Sequence, residues 1–438
     1  MASNIYLGNE LELLIEDLAQ DGRGVARAGN KAVFVDGALP GERVIAHIVK
    51  RHRQYDDAQA DQILVHSPDR IAPHCAHYAA CSGCSLQHLD PARQIEFKQK
   101  QLIDSLERIG KVTPQRILPA LQRDIWGYRR KGRLSVRYVE KKGKALAGFR
   151  EANGRYVAEI EHCPVLDPRV GMHLGNLSRL VSTLDARAAI PQIEVAAADQ
   201  VVLVFRNLVP LSASDRTQLR LFGAEHGFVI VLQPAGPDSL IGLDGDPPPQ
   251  LSYAIDEQLR LNYQALDFVQ VNDSINRSMI VQALDLLEVG SGDRVLDLYC
   301  GLGNFTLPLA RRAAEVFGVE GDAGLIERAR ANAVQAGLSN IDYAVADLTL
   351  DHSKADWSGA RYSRMLLDPP RAGAERVFDY LPGSDVERIV YVSCHPGTLA
   401  RDAEILVQRK GFDLIAAGAM DMFPHTAHVE SMALFVRR

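Results

Sequence analysis

The residue of this sequence best suited to covalent chemistry is a cysteine at the end of an apolar run. In RIVYVSCHPGT (388–398), Cys394 stands where a buried strand gives way to a loop. A thiolate that adds to carbon 6 of a pyrimidine makes carbon 5 nucleophilic, so that carbon 5 can be alkylated. Such a thiol should be partly exposed and close to hydrogen-bond donors or positive charge. The alternative is a small buried apolar residue.

This chemistry also needs a base, because the proton on carbon 5 must leave after alkylation. Glu430, in FPHTAHVES (423–431), is the candidate. His425 and His428 in the same segment could form a metal pair, but no third ligand stands near them in the sequence. We expect them to shape the loop or to contact a substrate. Cys300 fits the role of a small buried residue better than that of a nucleophile.

A second set of residues predicts a binding site for an adenosine-containing ligand. DLYCGLGNF (297–305) ends an apolar strand, and Gly301 and Gly303 would allow the backbone to approach a ligand there. Thr306 replaces the third glycine of the dinucleotide-binding fingerprint, which disfavours a pyrophosphate ligand. Glu320, at the end of the next strand, can accept hydrogen bonds from both hydroxyls of a ribose.

Two aspartates continue this series along the following strands. Asp347, after the third strand, is placed to meet an adenine edge. Asp368 begins the turn of LDPPR (367–371), which in methyltransferases of this fold contacts the base that is modified. The alternative for Asp368 is an ordinary turn residue. The series predicts S-adenosylmethionine as the ligand. Because acid-Pro-Pro turns also occur in enzymes that methylate exocyclic amines, amine methylation of a purine stays open.

The other cysteines have the spacing of a metal site. Three lie close together and one is remote: Cys75, Cys81, Cys84 and Cys163. Four thiolates can hold zinc or an iron–sulfur cluster. The single C-x2-C pair and the proline after Cys163 favour [4Fe–4S], whereas His74 and His77 keep zinc open as alternative ligands. The fourth cysteine argues against a radical enzyme, which needs an iron with an open position.

Positive charge is concentrated in one part of the chain. The formal net charge is −6, yet residues 121–150 contain ten Lys or Arg and two acids. Four of the basic residues form one cluster: Arg129, Arg130, Lys131 and Arg133. Such a stripe can bind RNA even in an acidic protein. The alternative is the solvated face of a strand pair.

Length and composition indicate a soluble protein of several domains. The chain has 438 residues, of which 47% are hydrophobic and 24% charged, and two or three domains are expected. No apolar stretch is long enough to span a membrane, and the N-terminus lacks the pattern of a signal peptide. We therefore expect a cytoplasmic protein with no membrane partner, reduced thiols rather than disulfides, and a monomer.

The elements that must position these residues fall into three predicted domains. Residues 1–66 carry the short alternating strands of a small β-barrel of the OB kind. Residues 67–268 hold the cysteine site and a mixed α+β region, with a cluster loop and helix at 71–125 and a hairpin turn at Asn153-Gly154. Residues 269–438 alternate strand and helix, which predicts an α/β, doubly wound, mostly parallel sheet with an antiparallel last strand.

With these motifs in view, the sequence resembles the RNA uracil-5-methyltransferases, and in particular those that act on 23S ribosomal RNA. The resemblance covers essentially the whole chain and is carried by FVQVN, DLYCGLGNF, VE, LDPPRAG, SC-x-P and HVE. It implies a TRAM barrel, a [4Fe–4S] site, a central RNA-binding domain and a Rossmann-like methyltransferase domain. The similar enzymes for transfer RNA lack both the barrel and the cluster cysteines.

The resemblance also implies roles for single residues. The methyl donor would be bound by Gln270, Tyr299, Asn304, Glu320, Asp347 and Asp368. Cys394 would be the nucleophile, Glu430 the base, and the four clustered cysteines the ligands of the iron–sulfur cluster. One departure is His395, which stands where the family commonly has Asn. An RNA-binding protein with an inactive methyltransferase domain is the remaining alternative, and the intact motifs disfavour it.

Overall fold

The computed structural model of the chain describes residues 6–7, 10–151, 154–380 and 385–438. Asn153, at the tip of the predicted hairpin, lies outside the described residues, and Arg150 pairs with Val157 in antiparallel fashion on either side of it. Among the helices of the described residues, none combines the length and the apolar character that a membrane crossing requires.

The N-terminal part is one strongly curled sheet around a small apolar core. Its strands are β1 (Tyr6–Leu7), β2 (Glu10–Leu14), β3 (Asp17–Leu18), β4 (Gly24–Ala28), β5 (Lys31–Asp36), β6 (Arg43–Arg51) and β7 (Tyr55–Val65). They lie in the order β1-β2-β6-β7-β5-β4-β3, and only the β5–β7 pair is parallel. Alternate residues such as Leu13, Val33, Val35 and Val44 point inward because side chains alternate between the faces of a strand.

The middle part is a six-stranded sheet that follows helix α1 (Pro91–Arg108) and the short strand β8 (Arg116–Ile117). Its elements are β9 (Lys131–Val139), β10 (Lys144–Gly148), α2 (Pro168–Gly171), α3 (Leu174–Thr183), β11 (Gln192–Ala197), β12 (Val201–Arg206), α4 (Ala213–His226), β13 (Phe228–Gln233) and β14 (Ile241–Gly242). The strand order is β10-β9-β11-β12-β13-β14. Helices α3 and α4 cover one face, while Val202, Val204 and Val231 on the other face join the core of the C-terminal part.

The C-terminal part is an eight-stranded sheet with helices on both faces. A separate antiparallel pair, β15 (Leu251–Ala254) and β16 (Arg260–Tyr263), precedes this sheet. The elements that follow are α5 (Asp273–Leu287), β17 (Arg294–Leu298), α6 (Thr306–Ala310), β18 (Glu315–Glu320), α7 (Ala323–Gln335), β19 (Ile341–Val345), α8 (Asp356–Gly359), β20 (Arg364–Leu367), α9 (Glu375–Asp379), β21 (Arg388–Ser393), α10 (Pro396–Arg409), β22 (Phe412–Met420) and β23 (Glu430–Arg437). The strand order is β19-β18-β17-β20-β21-β23-β22-β8. Strands β17 to β21 are parallel and β23 is antiparallel to both neighbours, so the predicted doubly wound sheet with an antiparallel last strand is confirmed.

Helix α1 packs on the C-terminal sheet although it precedes the middle sheet in the chain. Asp90 caps it by accepting a hydrogen bond from the backbone N–H of Ala92, and Pro91 occupies its first position, as expected. Its apolar side packs against α10 and β22, and β8 pairs in parallel with β22. A Cβ atom on Gly110 would lie 2.4 Å from the carbonyl oxygen of Ala400, so this close approach requires glycine.

Candidate active site

Two cavities meet at Cys394. The inner cavity, of about 430 Å³, lies at the carboxyl edge of the C-terminal sheet and contains Cys394 and Glu430 in its lining. The outer cavity, of about 740 Å³, is lined by all three parts of the chain, including Gln20, Arg129 and Arg371. Cys394 borders both cavities, so a group bound in one can meet a group bound in the other at this thiol.

Most of the residues predicted to bind a methyl donor line the inner cavity. They are Gln270, Tyr299, Gly301, Asn304, Glu320 and Asp368. The structure adds Tyr253, Phe268 and Cys300, which the sequence analysis did not assign to the donor. The parallel strands β17, β18 and β20 end at this edge, and ligands of doubly wound folds bind there.

The turn after β17 is shaped by left-handed backbone conformations. Tyr299, Gly301 and Gly303 have φ values of 62°, 55° and 96°, which cost least for glycine. The backbone N–H of Gly301 donates to Glu320 Oε2 (3.1 Å), so the turn and the end of β18 hold each other in place. The other oxygen of Glu320 accepts from the backbone N–H of Gly321 (2.7 Å).

Asn304 belongs to a polar network that joins three segments of the chain. Its Oδ1 accepts hydrogen bonds from the Tyr253 hydroxyl (2.9 Å) and from Asn276 Nδ2 (3.0 Å). Its own Nδ2 donates to Asn276 Oδ1 (2.9 Å). Because each amide and hydroxyl here has a partner, the side chain of Asn304 is fixed before any ligand arrives.

Asp347 is exposed and, like Gly303, does not line the inner cavity. Its Oδ1 accepts hydrogen bonds from the backbone N–H (3.0 Å) and the hydroxyl (2.7 Å) of Thr349. These bonds lower the pKa of Asp347 below its usual value. The carboxylate is thus engaged in a local turn, and its contact with an adenine edge stays a prediction.

The environment of Cys394 raises the pKa of its thiol to about 11. Burial is the main cause, and the carboxylates of Glu430 and Asp368 add to it, while Arg371 acts in the opposite direction. The thiol is partly exposed, as expected. Burial and the two acids together outweigh the effect of Arg371, so the pKa of the thiol lies above its usual value in the ligand-free protein.

The two carboxyl groups near Cys394 are also shifted. Burial raises the pKa of Glu430 to about 8; Asp368 adds to this shift, and Arg371 and Lys98 reduce it. Burial raises the pKa of Asp368 to about 7, against a hydrogen bond from Gln270 Nε2 (3.4 Å). A carboxyl group with a pKa close to the working pH can take and give a proton, which is what a general base needs.

His395 caps helix α10. Its Nδ1 accepts a hydrogen bond from the backbone N–H of Thr398 (3.2 Å), and Pro396 follows at the first helical position. Asn is among the side chains that make this type of cap most often. The imidazole therefore performs at this position the capping role that an Asn side chain can perform.

His425 and His428 have separate roles in the loop before β23. The buried His425 stacks on Trp126, with ring centroids 3.8 Å apart, and its carbonyl oxygen accepts from the backbone N–H groups of Ser85 and Leu86 (both 2.9 Å). His428 is exposed and accepts from Arg371 at Nδ1 (3.0 Å). His425 thus joins this loop to the cysteine loop, and His428 lines the outer cavity.

The four cysteines of the predicted metal site line one small cavity of about 20 Å³. Its lining includes Cys75, Cys81, Cys84 and Cys163. Burial raises the pKa of Cys81 to about 11 and that of Cys84 to about 12. The backbone N–H of Gly83 points to the sulfur of Cys81 (3.4 Å). Within the described ranges, no three or more His, Cys, Asp or Glu side chains are grouped so that they could hold a metal ion.

The basic cluster divides between the outer cavity and the interior. Arg129 and Arg133 line the outer cavity. Arg130 is buried, donates to the carbonyl oxygen of Gln270 (2.7 Å) and pairs with Asp273 (2.8 Å). Lys131 is half-buried and donates to the carbonyl oxygen of Ala265. Only the first two are therefore placed to meet a ligand in the outer cavity.

Three charged residues near the site were not singled out from the sequence. Asp297 is buried in β17 and accepts from the Thr306 hydroxyl (2.5 Å), and burial raises its pKa to about 7. Lys98 lies on α1 and Arg371 follows the Pro-Pro turn. Asp297 opens the motif DLYCGLGNF at a position that alternation places in the sheet, and this signal could have marked it as a buried acid.

The fold of this site is that of a methyltransferase. The structure is similar to the crystal structure of Pyrococcus abyssi tRNA (uracil-54, C5)-methyltransferase in complex with S-adenosyl-L-homocysteine, with a TM-score of 0.72 and 24% sequence identity over 97% of this chain and 99% of that chain. The predicted methyltransferase fold of the C-terminal part is confirmed.

Sequence comparison gives the family. Residues 250–438 match the model described as tRNA (Uracil-5-)-methyltransferase, and residues 5–60 match the TRAM domain. The chain is 54% identical to the 23S rRNA (uracil(1939)-C(5))-methyltransferase RlmD of Stenotrophomonas maltophilia (strain K279a), over 97% of this chain and 96% of the relative. The RlmD of Xylella fastidiosa (strain 9a5c) gives the same values. The chain belongs to the RNA uracil-5-methyltransferase family, and it is a methyltransferase.

Proposed function

We propose that this protein transfers a methyl group from S-adenosylmethionine to carbon 5 of a uridine in 23S ribosomal RNA. The relatives at 54% identity are named for uracil 1939 of that RNA, and we propose the equivalent uridine as substrate. The observation that carries the mechanism is the position of Cys394, which borders both cavities.

The methyl donor is proposed to bind in the inner cavity. Glu320 is oriented by the Gly301 N–H and can accept from the ribose hydroxyls, and Asn304 is fixed by its network. Asp368 and Gln270 lie on the wall that also contains Cys394. A donor bound there carries a positive sulfonium, and a positive charge near Cys394 favours its thiolate.

The RNA is proposed to bind in the outer cavity, with the target base turned out of its stack towards Cys394. The lining combines Gln20 and Asp21 from the N-terminal sheet, Arg129 and Arg133 from the middle part, and Arg371 from the C-terminal part. Cationic side chains and polar groups around a cavity of this kind hold phosphates and unstacked bases. We propose that the protein acts as a cytoplasmic monomer.

The covalent steps follow from the positions of Cys394 and Glu430. The thiolate of Cys394 adds to carbon 6 of uracil, and the electron pair displaced from the C5–C6 double bond makes carbon 5 nucleophilic. Carbon 5 then takes the methyl group from the donor. The Glu430 carboxylate removes the remaining C5 proton, the C5–C6 double bond forms again, and the sulfur leaves as thiolate.

We propose that Cys75, Cys81, Cys84 and Cys163 hold a [4Fe–4S] cluster. The support is their common cavity and the all-sulfur donor set, which suits iron–sulfur clusters. Zinc is the alternative, since His77 lines the same cavity and could replace a cysteine as ligand. Because Ser85, next to Cys84, accepts from the Ala427 N–H through its hydroxyl (3.0 Å), a cluster here would stabilise the loop before Glu430.

The decisive experiment uses RNA that carries 5-fluorouridine at the target position. Fluorine cannot leave carbon 5 as a cation, so the enzyme stays attached to the RNA after methyl transfer. We expect an adduct that survives denaturing electrophoresis with the unaltered protein and none with Cys394→Ala or Cys394→Ser. RNA binding by these variants should stay within a few-fold. Methylation without an adduct would contradict the mechanism and favour amine methylation of a purine.

A further inference from the structure

Lys98 of helix α1 is a fully buried cation next to the active site. Its side chain has 0% exposure, and that of its partner Asp421 has 1%. Lys98 Nζ donates to Asp421 Oδ1 (2.6 Å) and to the carbonyl oxygen of Phe423 (2.9 Å). Because burial of a charged pair costs free energy, this pair is a candidate for a functional role.

The contacts of Lys98 fall on the segment that leads to Glu430. Met420, at the end of β22, pairs with Glu430 at the start of β23. Asp421 and Phe423 begin the loop that connects these two strands. Lys98 therefore anchors the start of the 421–429 loop. Glu430, the proposed base, follows directly after this loop.

The charges that face Glu430 come from three directions. Asp368 and Arg371 follow β20, and the thiol of Cys394 follows β21. Lys98 comes from α1, and its charge, like that of Arg371, lowers the pKa of Glu430 against the effects of burial and Asp368. Arg371 is exposed and engages His428, whereas Lys98 is shielded from solvent, where its charge is least screened.

We propose that Lys98 is a positioning residue for the proton-removal step: it anchors the 421–429 loop and favours the carboxylate form of Glu430. This rests on the proposed function, in which Glu430 accepts the C5 proton. In that step the C5–H electron pair restores the double bond while the C6–S bond breaks. When Lys98 is lost, methyl transfer still occurs, and the methylated adduct then resolves slowly because its C5 proton is removed slowly.

The experiment follows single turnovers on ordinary uridine RNA with a labelled methyl donor. For Lys98→Met we expect a labelled protein–RNA adduct that accumulates and resolves roughly 10- to 100-fold more slowly than in the unaltered protein, a part of the rate that a general base supplies. Affinities for RNA and donor should stay within about twofold. Lys100→Met is the matched control, because Lys100 lies on the same helix but pairs at the surface with Asp17; it should resolve the adduct at the unaltered rate.

Two further variants separate positioning from stability. Lys98→Arg keeps the charge and should restore much of the resolution rate. In Lys98→Met/Asp421→Asn no unpaired buried charge remains, so the fold should survive, and the adduct should still accumulate. The pH at which resolution reaches half its maximal rate should rise in both charge-removing variants, because Glu430 would ionise less readily.

The outcomes distinguish this inference from the function on which it rests. If 5-fluorouridine RNA gives no adduct with the unaltered protein, the proposed function fails. If that adduct forms but Lys98→Met and the double variant resolve the uridine adduct at the unaltered rate, the role of Lys98 is wrong. Loss of folding in both variants, or an equal slowing of adduct formation and resolution, would make Lys98 a residue of stability alone and overturn the inference.

Discussion

Arg130 and Arg133 are close in sequence, yet their side chains lie in different environments. Arg130 is buried, with its guanidinium 4.0 Å from the ring centroid of Tyr253, and it bonds to the Gln270 carbonyl and to Asp273. The Arg133 side chain is 71% exposed and pairs with Glu194. Replacing each by Met keeps an apolar stem and removes the guanidinium, so the two variants form a matched pair.

The expected losses of stability differ in size. Hydrogen bonds from a charged group contribute about 1.5–3 kcal/mol each, and Arg130 makes two of them. Asp273 would keep Arg277 at 2.9 Å, so no orphaned carboxylate adds to the cost. We expect Arg130→Met to lower the free energy of unfolding by about 3–6 kcal/mol. The exposed ion pair of Arg133 contributes about 0.2–1 kcal/mol.

The two variants should also differ in their binding of the methyl donor and of RNA. Arg130→Met should weaken donor binding about tenfold, equivalent to about 1.4 kcal/mol, because Gln270 and Tyr253 both lose an anchor at the inner cavity. Arg133→Met should leave donor binding unchanged and weaken RNA binding, with a salt-dependence slope smaller by about 1. Urea denaturation, calorimetry with the donor, and RNA titrations at several salt concentrations measure the three quantities.

One pattern of results would refute this reasoning. If Arg130→Met reduced the slope of the salt dependence while stability and donor affinity stayed unchanged, Arg130 would contact phosphate and the inward orientation would be wrong. Loss of donor affinity in Arg133→Met would equally contradict the separation of the two residues.

Three further predictions concern pH, the cap of α10 and the cysteine site. Asp297, Asp368 and Glu430 have pKa values of about 7, 7 and 8 in the folded protein, against 3.8 and 4.5 for free groups. The folded protein thus binds more protons than the unfolded one between about pH 4 and pH 8. The stability of the ligand-free protein should therefore fall as the pH rises through that window. Thermal unfolding at several pH values should show a smaller fall for Asp297→Asn. His395→Asn should keep the stability of the protein within about 0.5 kcal/mol, whereas His395→Ala should lose about 1 kcal/mol in the same assay. Protein purified without air should be brown and contain iron, and Cys84→Ser should lose both; a colourless protein containing zinc would contradict the cluster.

The alternation of strands and helices in the C-terminal part was predictable because each strand is a short apolar run bounded by a polar or glycine turn. The ligand edge followed from the same pattern, since Glu320 ends a parallel strand and Gly301 and Asp368 lie within three residues of the end of one. Cys394 follows β21 and Glu430 begins the antiparallel strand β23 beside it, so both lie at the same edge although 36 positions separate them in the chain. Strand alternation could also have shown that Arg130 shares the inward side of Gly132 and Leu134.

Other features could not be predicted from local pattern. The sequence shows that α1 is amphipathic, but not that its apolar face meets α10. The pKa of Cys394 is raised mainly by burial and further by Glu430 and Asp368, all of which depend on segments brought together by the fold. The partial exposure expected of a nucleophile is present, but the expected positive environment is not. The charged groups near the thiol come from segments far apart in the chain, so the sequence around Cys394 could not reveal them.

The position of α1 also bears on the order in which the protein is made. The helix leaves the ribosome long before α10 and β22 have been synthesised, and Leu102 and Leu106, both 0% exposed in the folded protein, have no final partner during that time. Contacts between distant segments form late in folding, and exposed apolar surface in such intermediates favours aggregation. All strands of the N-terminal sheet are synthesised before α1, whereas the 421–429 loop that α1 contacts is synthesised only after β22.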